Sequence, residues 1–245
     1  MLSADWHRKS AKTGPAAPSR WSCPASNRRI ITKWAKWIDT LSESASFADF
    51  KRLRYSISLL GLLIAILVAL YLLGDAGRDA LKYERAAILN GEYWRLISGH
   101  FVHGTAQHLV LNVAGLLLIS ALFPRDYSAR GWLIVVSTSI FAIDVGFVFY
   151  EPQLHWYVGF SGVLHGALAA GAFAWWRTEP KPLSLGLGGV LLGKLVWEQW
   201  RGALPLSGDL PVVVDAHLYG AIGGALGASI LWASRQRWFS GNRSL

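Results

Sequence analysis

The chain has 245 residues, 53% of them hydrophobic and 16% charged, and its mean hydropathy is positive. That balance excludes an ordinary soluble domain and points to a polytopic membrane protein. A single cysteine, Cys23, excludes a disulfide framework and any cysteine-based metal site. The net charge of +9 comes without a basic stripe interleaved with stacking aromatics, so the lipid surface, not nucleic acid, is the expected counterpart.

In chain order, residues 1–55 come first. They lack the apolar core of a signal peptide and begin with a Ser-, Ala-, Pro- and Lys/Arg-rich stretch of disorder-prone composition. Within them Trp34, Trp37, Ile38 and Leu41 recur at helical spacing beside Lys33 and Lys36, which predicts a short helix lying on the membrane surface. Six apolar runs follow: Ser56 to Leu73, His108 to Phe123, Gly131 to Tyr150, Ser161 to Trp176, Leu183 to Trp200 and His217 to Ala233. A bilayer core admits helices and closed barrels only, and uninterrupted runs of this length read as helices. The predicted architecture is all-α: a cytoplasmic tail over 1–55, a six-helix membrane domain over 56–233 and a cytoplasmic tail over 234–245.

Basic residues orient this bundle, because Lys and Arg accumulate on cytoplasmic segments. Eleven precede the first run; Arg125, Arg130, Arg177 and Lys181 follow the second and fourth, and Arg235, Arg237 and Arg243 end the chain. The alternate loops hold only Arg78, Lys82, Arg85, Arg95 and Arg201. Both termini are therefore predicted on the cytoplasmic side. The second, fourth and sixth runs then all descend from the outer face, and their first turns share one depth.

Those first turns carry the unusual polar residues: His108 with Asn112 one turn on, Ser161 with His165 one turn on, and His217. Taken alone, Ser161 would read as a hydroxyl bonded back to its own helix carbonyl. Three helices delivering polar groups to one level change that reading. These runs also fall short of the roughly 20 residues of a full span, which leaves room for a water-filled recess above them. Gly162 and Gly166 on one run, and Gly220 and Gly224 on another, form two G-x-x-x-G pairs of the kind that lets membrane helices pack in contact. Close packing would bring His217 within reach of the Ser161 hydroxyl as its base. His108, Asn112 and the backbone N–H groups opening the Ser161 helix are candidates to stabilise the resulting oxyanion. No carboxylate has an obvious claim on His217: Asp215 lies two residues before it and Asp144 in the third run, so a Ser–His dyad is expected. Val163 breaks the G-x-S-x-G of a soluble-hydrolase elbow.

The run WRLISGHFVHGTAQHLVLN, Trp94 to Asn112, resembles the W-R … H … H-x-x-x-N segment of rhomboid intramembrane serine proteases. GFSG, Gly159 to Gly162, resembles their G-x-S-G, and AHLYGAIGG their A-H-x-x-G-x-x-x-G. The resemblance implies a rhomboid bundle with Ser161 as nucleophile, His217 as base, and His108 with Asn112 in the oxyanion hole. It also implies that His103 lines the site, beside Gly159 and Gly162 of the serine motif, and it implies no cofactor and no metal. Rhomboids commonly carry an aromatic residue one turn after the serine, where this chain has His165. That residue, with KLVWEQ (Lys194 to Gln199) and VVVDAHLYG, is similar to the rhombosortase branch. The branch implies membrane-anchored substrates in a Gram-negative inner membrane, ending in a Gly-Gly motif, a transmembrane helix and a basic end. The site would open to the periplasm. Hydrolysis near the Gly-Gly and transfer to a lipid-derived amine are both open.

Lys194 and Glu198, one turn apart inside a membrane helix, read either as site residues or as a self-neutralising pair that snorkels. His165 reads either as site-lining or as a packed, hydrogen-bonded residue. Two rival classes stand beside the protease. Six histidines on the outer side allow a haem- or metal-ligating protein, although no H-E-x-x-H is present and Ser161 and the paired glycines would go unexplained. A catalytically inactive binder of transmembrane segments is the other, against which Ser161 and His217 are both retained.

Overall fold

The computed structural model describes residues 47–204 and 212–241. Except for Phe47, they lie in one unit, Ala48–Leu245. The surface helix predicted around Trp34 to Leu41 lies outside the described residues, as does most of the predicted N-terminal tail.

Helices stand at all six apolar runs. They are α1 (Phe47–Leu72), α5 (Ala106–Leu122), α6 (Ala129–Tyr150), α7 (Ser161–Thr178), α8 (Lys181–Arg201) and α9 (Val214–Gly241), with three short helices, α2 (Gly74–Leu81), α3 (Arg85–Leu89) and α4 (Arg95–Ser98), in the first loop. Two ends differ from the sequence reading. The first helix begins at Phe47, ahead of Ser56, because Lys51, Arg52 and Arg54 hide that turn from a hydropathy window; the last continues past Ala233 to Gly241 for the same reason. Residues 47–55 are thus helical and continuous with the first apolar run.

By length and apolarity, two of the described helices suffice to cross a membrane alone: α6 and the Val214–Ser234 part of α9. The Ser58–Leu72 part of α1 and α2 pass together as a broken pair bent by 110° at Gly74, whose φ of +68° suits glycine. Helix α5 is a shorter apolar helix, and glycines and ionisable residues dilute α7 and α8. Large apolar side chains on α1, α5, α6, α8 and α9 point outward, among them Leu62, Leu118, Phe141, Val196 and Ile222. Large apolar side chains exposed on five helices match lipid, not water.

Two features hold the first loop over the bundle. β1 (Tyr83–Glu84) pairs antiparallel with β2 (Trp156–Tyr157), Tyr83 opposite Tyr157, just before α7. Beneath this pair the Phe147 ring meets Tyr83 and Tyr157 edge-on at 5.3 and 4.9 Å. The Arg85 guanidinium donates to the Phe147 and Val148 carbonyls at 3.0 and 3.1 Å, satisfying the otherwise orphaned C-terminus of α6. Buried Arg95 donates to the Asp79 and Lys82 carbonyls and to Glu92. Arg85 and Arg95 of this loop are therefore spent on fixing its fold and its attachment to α6.

At the centre, α7 and α9 cross in backbone contact. A Cβ at Gly162 would meet the Ala216 carbonyl at 2.7 Å, and one at Gly166 the Gly220 carbonyl at 2.6 Å. Cβ atoms at Gly220 and Gly224 would strike the Gly162 and Gly166 carbonyls. Sequence reasoning missed a second tight seam: Gly223 and Gly227 of α9 lie against Thr138 of α6, and Gly146 of α6 lies under the Tyr219 ring.

Candidate active site

The segment entering α7 sets the position of Ser161. Gly159 has φ +123°, a conformation that L side chains rarely adopt; its N–H donates to the Gly99 carbonyl at 3.1 Å and its carbonyl accepts the Tyr157 hydroxyl at 2.6 Å. Burial raises the Tyr157 phenol above its ordinary pKa, so that hydroxyl stays a donor. A Cβ at Gly159 would also strike the His108 ring. Only glycine lets that imidazole lie against the turn.

Ser161 opens α7, and its Oγ lies 2.9 Å from Nε2 of His217 in the first turn of α9. The close approach of the two glycine pairs sets this distance. On the far side of the imidazole, Nδ1 lies 2.9 Å from Oε2 of Glu198, a residue only 2% exposed near the end of α8. A carboxylate can only accept, so Nδ1 carries the proton and Nε2 presents its lone pair to the serine hydroxyl, which donates. Lys194 donates to the other Glu198 oxygen at 2.6 Å. The His165 ring stacks on His217, 4.1 Å between centroids and 18° between planes, and its Nδ1–H donates to the Ser161 carbonyl at 2.7 Å.

The expectation that no carboxylate reaches His217 is corrected here. Asp144 bonds His100 at 3.2 Å instead. Glu198 fills the position from 19 residues away on another helix, which local spacing around His217 could not reveal. The pair Lys194–Glu198 is not simply self-neutralising, since one carboxylate oxygen is committed to the imidazole.

Asn112, from α5, is buried, and among the described residues its Nδ2 donor has no hydrogen-bond partner; the same holds for His108 Nδ1. His103 meets His108 edge-on at 5.0 Å. Burial, with the His108 imidazole beside it, pushes the His103 pKa down to about 3, so this ring is neutral at any working pH. Thr105 caps α5 by accepting from the His108 N–H at 3.1 Å, which fixes where the first turn of that helix begins.

Ser161, His217, His108, Asn112, His165, Lys194 and Glu198 all line one cavity of about 530 Å³. Its remaining wall is largely aliphatic, with Leu111, Leu118 and Leu122 from α5 and Leu164 and Leu168 from α7. His103 stands behind His108 and not on the cavity; Gly166, Gly220 and Gly224 serve the helix contact. His165, Glu198 and His217 gather ligand atoms within 4.8 Å. Their geometry suits a metal or haem poorly: the stacked imidazoles, with centroids 4.1 Å apart, direct their lone pairs side by side, and an ammonium already occupies the carboxylate.

A Rhomboid domain model matches residues 90–234, more than half of the chain and all of the cavity's catalytic-type residues. Two GlpG rhomboid proteases of Klebsiella pneumoniae, one from strain 342, are each 29% identical over 184 residues, 71% of this chain and 64% of theirs. YdcA of Bacillus subtilis (strain 168), a candidate rhomboid protease, is 29% identical over 89 residues, 36% of this chain and 45% of its own. The chain spans less than two thirds of the length of these curated relatives. With the domain match covering the serine, histidine and asparagine motifs together, the chain belongs to the rhomboid family.

Proposed function

We propose that this protein is a serine endopeptidase of the inner membrane that cleaves membrane-anchored proteins at a site open to the periplasm, within a bundle of six membrane helices. The observation that carries the reading is the 2.9 Å contact between the Ser161 hydroxyl and His217 Nε2 on the wall of a largely apolar cavity. His217 takes the Ser161 proton as Oγ bonds to the scissile carbonyl carbon. The oxyanion is received by Asn112, His108 and the N–H groups opening α7; among the described residues the Asn112 amide donor has no other partner. As the C–N bond breaks, His217 returns the proton to the leaving amine. A water then attacks the acyl-enzyme, giving its proton to His217, and Ser161 leaves with that proton.

The substrate class proposed is that of the rhombosortase branch: exported proteins ending in Gly-Gly, a transmembrane helix and a basic end. Its support is His165, stacked on the base where rhomboids commonly carry another aromatic, together with the KLVWEQ and VVVDAHLYG segments that supply Glu198 and His217 to the same cavity. Coexpression with an exported reporter bearing such a tail tests this. Wild type is expected to release the reporter from the membrane, and Ser161→Ala to leave it full length. Equal processing by both overturns the reading; an amine adduct on the new carboxyl end would assign transfer over hydrolysis.

A further inference from the structure

The Ser161–His217 contact leaves one question of proton bookkeeping. A neutral imidazole has two tautomers, and only the one with its proton on Nδ1 can accept from the serine. Among the described residues, the group that meets Nδ1 is the Glu198 carboxylate, at 2.9 Å. It is one of the most deeply buried ionisable side chains of the described residues, 2% exposed, and an isolated buried carboxylate is costly unless paired. Both oxygens are paired: Oε2 with His217, Oε1 with the Lys194 ammonium at 2.6 Å. Lys194 and Glu198 are one turn apart on α8, while His217 belongs to α9, so the chain of contacts crosses between helices and ends on the serine.

Resting on the protease reading above, we infer that Glu198 is a positioning residue: it holds His217 in the Nδ1–H tautomer and orientation that reaches Ser161, and Lys194 holds Glu198 as an acceptor. The arrangement is a hydroxyl–imidazole–carboxylate relay in which Glu198 supports the charge that His217 acquires when it takes the serine proton. Glu198 keeps its own charge throughout; the proton moves only between Oγ, Nε2 and the leaving group.

The Lys194 contact makes a distinctive prediction. In Glu198→Gln the carboxamide has one acceptor and one donor end. Lys194, a pure donor, claims the carbonyl oxygen and turns the NH2 toward His217 Nδ1. That end forces the ring proton onto Nε2, where it faces Ser161 and blocks proton transfer. Truncation in Glu198→Ala merely frees the ring to sample both tautomers. The nearly isosteric change is therefore worse than the deletion, which no loss of packing would produce.

The experiment measures the rate of Ser161 labelling by a fluorophosphonate in detergent-solubilised full-length protein. Wild type labels and Ser161→Ala does not; if wild type fails to label, the protease reading itself fails, separately from this inference. Glu198→Gln is expected to label on the order of 10³-fold slower than wild type. Glu198→Ala should be less impaired, Glu198→Asp should recover most of the rate, and adding Lys194→Met to Glu198→Gln should restore part of it by letting the amide turn over. Wild-type labelling by Glu198→Gln, or a Gln variant no slower than Ala and insensitive to Lys194→Met, overturns the inference. Should the Glu198 variants not fold, proton NMR of Ser161→Ala, whose Glu198 is intact, decides: a far-downfield Nδ1–H signal that disappears in Ser161→Ala/His217→Ala is expected, and its absence overturns the assignment.

Discussion

Asn112 lines the cavity beside Ser161 with a buried amide donor that has no partner among the described residues. Leaving such a donor unpaired costs about 1–3 kcal/mol, a penalty that a developing oxyanion would remove at the moment of reaction. An interaction absent in the ground state and present in the transition state is the kind that raises turnover. Asn112→Ala is accordingly expected to fold at least as stably as wild type while cleaving a Gly-Gly reporter about 10²–10³-fold more slowly, checked by single-turnover kinetics and thermal unfolding in parallel. A variant that lost stability and kept its rate would place Asn112 in the packing. At the neighbouring position Gly159 the constraint is steric: the left-handed backbone and the His108 ring leave no room for any side chain.

At the level of elements, glycine has two opposite uses in adjacent helices. On α9, Gly220 touches the Gly162 backbone, so an added methyl must push α7 and α9 apart and carry His217 away from Ser161. On α8, a Cβ at Gly186 would meet nothing within 4 Å. Gly220→Ala is expected to lower stability by about 1–3 kcal/mol and slow fluorophosphonate labelling. Gly186→Ala should be neutral or stabilising by up to about 1 kcal/mol, as helix propensity alone would have it. Thermal unfolding of the two variants checks both signs. This seam was legible in the sequence, because G-x-x-x-G beside a serine and beside a histidine states both the approach and its purpose. The α6–α9 seam was only half legible: Gly223 and Gly227 form a further G-x-x-x-G, but what they pack on, Thr138 of α6, carries no matching small-residue pair, and Gly146 meets a large ring, Tyr219, that spacing cannot pair with it. Glu198 was legible as an ionisable residue at membrane depth but not as the partner of His217. Its meaning depends on how α8 leans on α9, a tertiary fact. The two-residue β1–β2 pair left no sequence signal, being too short for alternation.

Over the whole molecule, apolar runs placed the six long helices of the described residues, while charge hid the start of α1 and the end of α9. The distribution of basic residues carries the proposed topology, with Arg85 and Arg95 of the first loop occupied in capping carbonyls. Cys23, the one native cysteine, offers a direct check. A membrane-impermeant maleimide is expected to leave Cys23 unmodified in intact spheroplasts and to label it after lysis. The Cys23→Ser/Gln153→Cys variant, reporting from the exposed loop beside the cavity, should label before lysis. The reverse pattern would invert the bundle and put Ser161 on the cytoplasmic side. The reading as a whole depends on a serine activated by an imidazole delivered from a distant helix. Its most direct measurement is peptide mapping by mass spectrometry of fluorophosphonate-treated protein, wild type beside His217→Ala. A single phosphonyl adduct on Ser161 that is lost in the histidine variant is predicted; an adduct on another residue, or one of equal yield without His217, would contradict the account.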